Sequence, residues 1–123
     1  MKVAIEKSFT FHSAHRLPNH PGKCSNIHGH TYQLDVKVSG TPLDDGRGDS
    51  GMVMDFGDLK EIVTETIIDK YDHQDLNNHF ENPTAENMAA IIWLTLVDVL
   101  PHKVTLEKIR LWETETACAE VVR

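Results

Sequence analysis

Two stretches of alternating apolar and polar residues, 3–15 and 27–39, place the strongest constraint on how this chain folds. A period of two indicates strands with one buried face, which in the first stretch carries Phe11 and His15. The second stretch has a matching row on one side, made of His28, His30, Tyr32, Leu34, Val36 and Val38. Residues 17–26 contain two prolines and a glycine, which predicts a loop. The chain is therefore expected to begin with a hairpin whose connection is longer than a tight turn requires.

Helical spacing replaces alternation in the middle of the chain. Asp55 is the predicted N-cap of a first helix that ends near Tyr71, and Thr84 is the predicted N-cap of a second. The predicted apolar row of the first helix is Phe56, Leu59, Ile62, Val63 and Ile67. That of the second helix is Met88, Ile91, Ile92, Leu96 and Val99. A short strand is predicted at 52–54 and a polar connector at 72–81.

Alternation returns near the end of the chain, where Ile109, Leu111 and Glu113 share one side and a second strand follows after a turn. The order is strand, strand, helix, helix, strand, strand. Strands at both ends with helices between them favour an α+β fold, in which a four-stranded antiparallel sheet carries two helices on one face. The length of 123 residues fits a single domain over 1–123.

Charge and hydropathy exclude several classes of partner. Lys and Arg number 12 against 19 Asp and Glu, which argues against nucleic-acid binding because phosphate backbones need a basic face. The sequence shows no apolar run long enough for a signal peptide or a membrane span. A cytoplasmic protein without a membrane partner is expected, and Cys24 and Cys118 are then expected to be thiols, although they could pair.

Histidine is unusually frequent, with eight in the chain and five within the first 30 residues. His28 and His30 point to the same side of their strand, because residues two apart share a face. Antiparallel pairing of the first hairpin would bring His15, at the end of the first strand, beside them. Three convergent histidines predict a metal site, and this donor set suits a catalytic zinc ion that keeps a fourth position open.

Three further positions have two interpretations each. Cys24 is either a fourth, structural ligand or a nucleophile or base whose thiolate is stabilised by a nearby cation. Asp72 could fix the tautomer of His73 in a proton shuttle, or the dipeptide could be ordinary surface loop. Glu113, on the apolar side of its strand, either ends that strand in water or binds two N–H donors of a guanidine-like ligand edge. Spacing alone does not separate these alternatives.

Taken together, these residues resemble the 6-pyruvoyltetrahydropterin synthase family, and within it the branch that makes 6-carboxytetrahydropterin for queuosine and deazapurine biosynthesis. The resemblance runs over nearly the whole chain. Its segments are 11–17 (FHSAHRL), 24–30 (CSNIHGH), 54–56 (MDF), 59–60 (LK), 72–73 (DH), 82–87 (NPTAEN) and 113–114 (ET). In the family, three residues separate the cysteine from His-Gly-His in the carboxy-forming branch and five in the pyruvoyl-forming enzymes. This chain has three, Ser25, Asn26 and Ile27.

The resemblance also implies roles for individual residues. The zinc ligands of the family fall on His15, His28 and His30. Its catalytic residues fall on Cys24, Asp72 and His73. Its pterin-anchoring glutamate falls on Glu113, and a looser match places further substrate contacts at Thr84 and Glu86. Arg16 and Lys23 are candidate triphosphate contacts on charge and proximity alone.

The resemblance further implies the tunnelling fold (ββααββ), in which subunits join edge to edge into a β-barrel with active sites at subunit interfaces. A homo-oligomer is expected, and the family favours a hexamer. The implied reaction converts 7,8-dihydroneopterin triphosphate to 6-carboxytetrahydropterin, acetaldehyde and triphosphate. Two alternatives stay open, namely a 6-pyruvoyltetrahydropterin synthase that releases triphosphate only, and a non-enzymatic module whose zinc is closed by Cys24.

Overall fold

The first hairpin has the predicted form in the computed structural model, which describes residues 1–44, 46–48 and 50–123. Strand β1 (Val3–His15) pairs antiparallel with β2 (His28–Gly40), and the register runs without interruption from Val3 opposite Gly40 to His15 opposite His28. The connecting loop contains one short 3-10 turn at Lys23–Ser25. The two ends that carry histidine therefore lie side by side, as the alternation predicted.

A continuous helical path follows, made of α1 (Phe56–Val63), one π-helical segment (Thr64–Ile68) and α2 (Asp69–Tyr71). Asp55 caps this path as predicted, because its carboxylate accepts a hydrogen bond from the Gly57 N–H. The short strand predicted at 52–54 is wrong, since Val53 and Met54 form bends and none of the three residues pairs with a strand. Val53 and Met54 are nevertheless buried, so their apolar character reflects packing rather than strand pairing.

The second long helix, α3 (Ala85–Val99), begins at its predicted cap, where the Thr84 hydroxyl accepts a hydrogen bond from the Asn87 N–H. Its buried row is Ala85, Met88, Ala89, Ile92 and Leu96. The predicted row was wrong at two positions, because the side chains of Ile91 and Val99 are exposed. Successive helical residues are about 100° apart around the axis, so Ile91 cannot share the direction of Ile92.

Strands β4 (Thr105–Thr114) and β5 (Ala117–Val122) form the second hairpin. Between the helices, β3 (Gln74–Asp75) adds a fifth strand that runs parallel to β1, and the sheet order is β3-β1-β2-β4-β5. The connector predicted at 72–81 therefore contains a strand, which is too short to show any alternation. The four antiparallel strands are as predicted.

The helices cover one face of the sheet, and a shared core fills the space between the two layers. Fully buried members include Phe11, Tyr32, Leu34, Ile109 and Leu111 from the strands and Leu59, Ile67, Met88, Ile92 and Leu96 from the helices. Because strands alternate, Phe11 and His15 point to this covered face and His12 points to the opposite one. No helix in the described part of the chain is long and apolar enough to cross a membrane.

Candidate active site

His15, His28 and His30 meet where the first hairpin ends. One ligand nitrogen from each ring lies within 4.8 Å of the other two. The ring centroids are 4.6 Å apart for His15 and His28, 5.0 Å for His15 and His30, and 4.8 Å for His28 and His30. Two nitrogens bound to one tetrahedral zinc at about 2.0–2.1 Å would lie about 3.4 Å apart. The triangle therefore has dimensions that a single metal ion can fill.

Backbone carbonyls set the tautomers of two of these rings. His15 Nδ1 donates to the Pro83 carbonyl oxygen at 2.8 Å, and His28 Nδ1 donates to the Asn26 carbonyl oxygen at 2.8 Å. A carbonyl only accepts, so both Nδ1 atoms carry a proton, and in the neutral imidazole, which is the form that binds metal, each Nε2 atom carries the lone pair. These two Nε2 atoms face each other at 3.0 Å. Two lone pairs at that distance repel unless a cation lies between them, which is the arrangement of metal ligands with fixed outer partners.

The third ring supplies an independent indication. His30 Nε2 is buried and makes no hydrogen bond with any residue in the described part of the chain. Burial lowers the pKa of His30, as do the neighbouring His15 and His28, while the Glu113 carboxylate acts in the opposite direction. A lowered pKa keeps the imidazole neutral, which is the form that binds metal. The residues present therefore fit a bound divalent cation.

Glu113 lies beside this group, on the inner side of β4 as its register predicted. Its Oε1 is 3.3 Å from His30 Nε2. The pairing of β4 with β5 shifts register between Trp112 and Thr114, so Glu113 lies at an irregularity of the hairpin. Burial, followed by the charge of Glu113, raises the pKa of Tyr32. The half-buried carboxylate is thus placed next to the metal-binding histidines.

Cys24 lies in the loop between β1 and β2, partly buried and unpaired, and Cys118 is an exposed free thiol. The Cys24 carbonyl oxygen accepts a hydrogen bond from the Leu17 N–H, which closes the loop. Among the described residues, the group of potential ligands contains the three histidines and not Cys24. Within the described residues, the structure therefore does not place Cys24 beside the three histidines as a fourth ligand.

Asp72 and His73 do contact each other, at the junction between α2 and β3. His73 Nδ1 lies 2.8 Å from Asp72 Oδ2. The pKa of Asp72 is lowered, first by the backbone N–H of His12, which donates to Oδ1, and then by His73. His73 has a φ of 55°, in the left-handed region that non-glycine residues seldom adopt. Backbone strain of this kind is frequent at functional positions.

The remaining candidates lie near the same end of the molecule. Thr84 uses its hydroxyl as a helix cap, and Glu86 is exposed in the first turn of α3. Arg16 is exposed, and its backbone N–H and carbonyl oxygen both bond to the Asn77 side chain. Lys23 is exposed, in the short 3-10 turn that also contains Cys24. The roles of these four residues toward substrate stay predictions.

Sequence reasoning missed the backbone groups that orient the site. The Pro83 and Asn26 carbonyl oxygens hold two of the histidines, and His12 holds Asp72 through its N–H. Asn26 is two residues from His28, so a local search could have found it. Pro83 and His15 are 68 residues apart, and nothing in either segment signals that they meet.

The fold and the site together define a small α+β protein with three histidines, at the end of its first hairpin, that are positioned to hold a metal ion. The chain belongs to the 6-pyruvoyl tetrahydropterin synthase family, whose sequence profile matches residues 4–123.

Individual relatives agree with this assignment. The 6-carboxy-5,6,7,8-tetrahydropterin synthase of Haemophilus influenzae is 39% identical, with 94% of this chain and 96% of the relative covered. A putative 6-carboxy-5,6,7,8-tetrahydropterin synthase of Archaeoglobus fulgidus is 38% identical over 99% of this chain and 97% of the relative. The solved structure of the Caenorhabditis elegans 6-pyruvoyl tetrahydropterin synthase is 27% identical, with a TM-score of 0.82 over 100% of this chain and 96% of that one.

Proposed function

We propose that this protein is a zinc-dependent 6-carboxy-5,6,7,8-tetrahydropterin synthase, a carbon–carbon lyase. It converts 7,8-dihydroneopterin triphosphate and water to 6-carboxytetrahydropterin, acetaldehyde and triphosphate. The observation that carries this proposal is that the Nε2 atoms of His15 and His28 face each other, together with a His30 Nε2 atom that lacks a hydrogen bond among the described residues. The identity to relatives of the same name, 38–39% over nearly the whole chain, supports the choice of reaction.

The metal group is assigned to His15, His28 and His30. A bound zinc ion would act as a Lewis acid toward substrate oxygens, which makes their protons easier to remove. Histidine-only coordination leaves a position for substrate, and the sulfur of Cys24 stands outside the group. The chain's own contribution is to fix the tautomer and the orientation of His15 and His28, which the two carbonyl acceptors achieve.

Proton movement is assigned to Cys24 and to the Asp72–His73 pair. Asp72 accepts a hydrogen bond from His73 Nδ1–H, which leaves Nε2 free to take or give a proton at a substrate carbon. Cys24 supplies a second proton-transferring group from the loop. Glu113, beside the metal group, is assigned to the amino-pyrimidine edge of the pterin, where its two oxygens match two N–H donors.

The assigned groups are distributed in a way that suggests assembly. The metal group lies on the covered side of the first hairpin, whereas His73 packs against His12, which points to the other side of β1. Strands β3 and β5 also end the sheet without a further partner in the described chain. Unpaired edges favour association. A homo-oligomer, with each site completed by a second copy of the chain, accounts for both observations, and family resemblance favours a hexamer.

Product analysis tests the reaction. The purified protein, loaded with zinc and incubated with 7,8-dihydroneopterin triphosphate, is expected to yield 6-carboxytetrahydropterin with equimolar acetaldehyde and triphosphate. Mass spectrometry identifies the pterin, and trapping with a hydrazine measures the acetaldehyde. Triphosphate release with a pyruvoyl pterin and no acetaldehyde would assign the protein to the pyruvoyl-forming reaction instead. Failure to consume this substrate would reject both.

Subunit mixing tests the shared site. C24A and H73A are each expected to be inactive alone, and their coexpression with two affinity tags is expected to restore about a quarter of wild-type activity. In a random mixture about half of the subunits carry an intact Cys24 and about half carry an intact His73, so about one shared site in four receives both. The matched control is C24A coexpressed with the C24A/H73A double variant, which offers no intact cysteine. A tandem-purified mixture without activity would place both groups in one subunit's site.

A further inference from the structure

His12 lies against the Asp72–His73 pair, and the proposed reaction gives it no role. Its backbone N–H donates to Asp72 Oδ1 at 2.9 Å, and its carbonyl oxygen accepts from the His73 N–H at 2.6 Å. These two bonds fasten the pair to β1. Both are made by the main chain and would form with almost any residue at position 12, so they do not explain a histidine there.

The side chain makes contacts of its own. The His12 and His73 rings meet edge to face, with centroids 6.0 Å apart and planes inclined by 70°. This geometry is one that aromatic pairs prefer. His12 Nδ1 lies 3.0 Å from Thr31 Oγ1, so the neighbouring strand β2 holds the His12 ring in turn. The contacts form a short chain that runs from Thr31 through His12 to His73.

The His73 ring needs such support. Its side chain is 79% exposed, and its bond to Asp72 restrains only one edge of the imidazole. An imidazole restrained by a single hydrogen bond can still change its tilt. The misplacement of a catalytic group by 1 Å can cost about 100-fold in rate. A second, rigid neighbour removes that freedom because packing fixes the side-chain rotamer.

We propose that the His12 imidazole is a positioning residue for His73. Anchored by Thr31, it packs against the His73 ring and keeps that ring in the orientation set by Asp72. The consequence for catalysis rests on the proposed function, whereas the ring contact does not.

Three variants and a control test the proposal in the zinc-loaded protein. H12A is expected to lower kcat about tenfold while KM changes less than about twofold, because orientation and not binding is lost. H12F is expected to recover most of kcat, since a phenyl ring can pack edge to face without the hydrogen bond. T31V is expected to give a smaller loss and to add little to H12A, since both changes act on one chain of contacts. H102A, at an exposed histidine elsewhere, is expected to match the wild type.

A spectroscopic readout separates this proposal from the proposed function. With selectively labelled histidine, nuclear Overhauser contacts between the His12 and His73 ring protons are expected in the wild type, and His73 ring signals are expected to broaden in H12A. If both spectroscopic results are obtained with a protein that has no lyase activity, the proposed function fails and the contact between the His12 and His73 rings stands. An active protein in which H12A keeps wild-type kcat, or in which H12F is as slow as H12A, overturns the positioning role.

Discussion

Replacing Cys24 with alanine is expected to lower turnover by about 10²–10⁴-fold while about one zinc ion per chain is retained. That range is typical for removal of a general acid or base. Zinc should stay because the three ligand nitrogens lie within 4.8 Å of one another and Cys24 is not part of their group. The measurements are kcat with 7,8-dihydroneopterin triphosphate and the metal content of the same sample.

The control for this substitution is C118A. Cys118 is also a free thiol, but it is exposed on β5 and far along the chain from the loop of Cys24. We expect C118A to retain wild-type turnover, which excludes a general effect of removing a thiol. A C24A protein that loses its zinc would contradict the open site and favour a structural cysteine ligand. A C24A protein with full activity and full zinc would remove Cys24 from the mechanism.

Replacing His28 with alanine is expected to reduce zinc from about one ion per chain to near none, and to abolish activity with it. Two remaining histidines are a poor site for zinc, which takes at least three protein ligands in catalytic centres. His28 is more informative than His15, because it is half-buried, whereas His15 is fully buried and its loss would leave the buried Pro83 without this donor to its carbonyl oxygen.

Thermal unfolding gives a second measure of the same change. A ligand that binds only the folded state stabilises it by about 4 kcal/mol at a free concentration about 1,000 times its Kd. Added zinc should therefore raise the Tm of the metal-free wild type and leave that of H28A almost unchanged. H20A is the matched control, because His20 is an exposed histidine of the same loop that bonds to the Gly22 N–H. Zinc retention by H28A, equal to that of H20A, would disprove the assignment.

Most of the fold was predictable because its periodic patterns are local. The alternation of 3–15 and 27–39 indicated the hairpin and its buried side, and the structure places His15 opposite His28. The caps at Asp55 and Thr84 were predictable for the same reason, since a cap bonds within three residues. The prediction failed at 52–54, where Val53 and Met54 are buried without pairing to a strand.

The site was predictable in part. The convergence of the three histidines follows from the register of one hairpin, which the alternation of its two strands already indicates. The sequence could not show whether the side chains of Asp72 and His73 meet, and the structure shows a 2.8 Å contact between them. The position of that pair depends on β3, which has two residues and pairs with β1.

The sequence by itself determined which side of the first two strands faces inward and which three histidines converge, because the strand period follows from local backbone geometry and leaves a repeating pattern in the residues. Only the tertiary structure decided that the Pro83 carbonyl oxygen fixes the His15 tautomer, that Cys24 stays outside the metal group, and that Asp72 is fastened to His12. The Pro83 and Asp72 contacts join segments far apart in the chain through backbone atoms, which are the same in every residue and so leave no trace in the sequence.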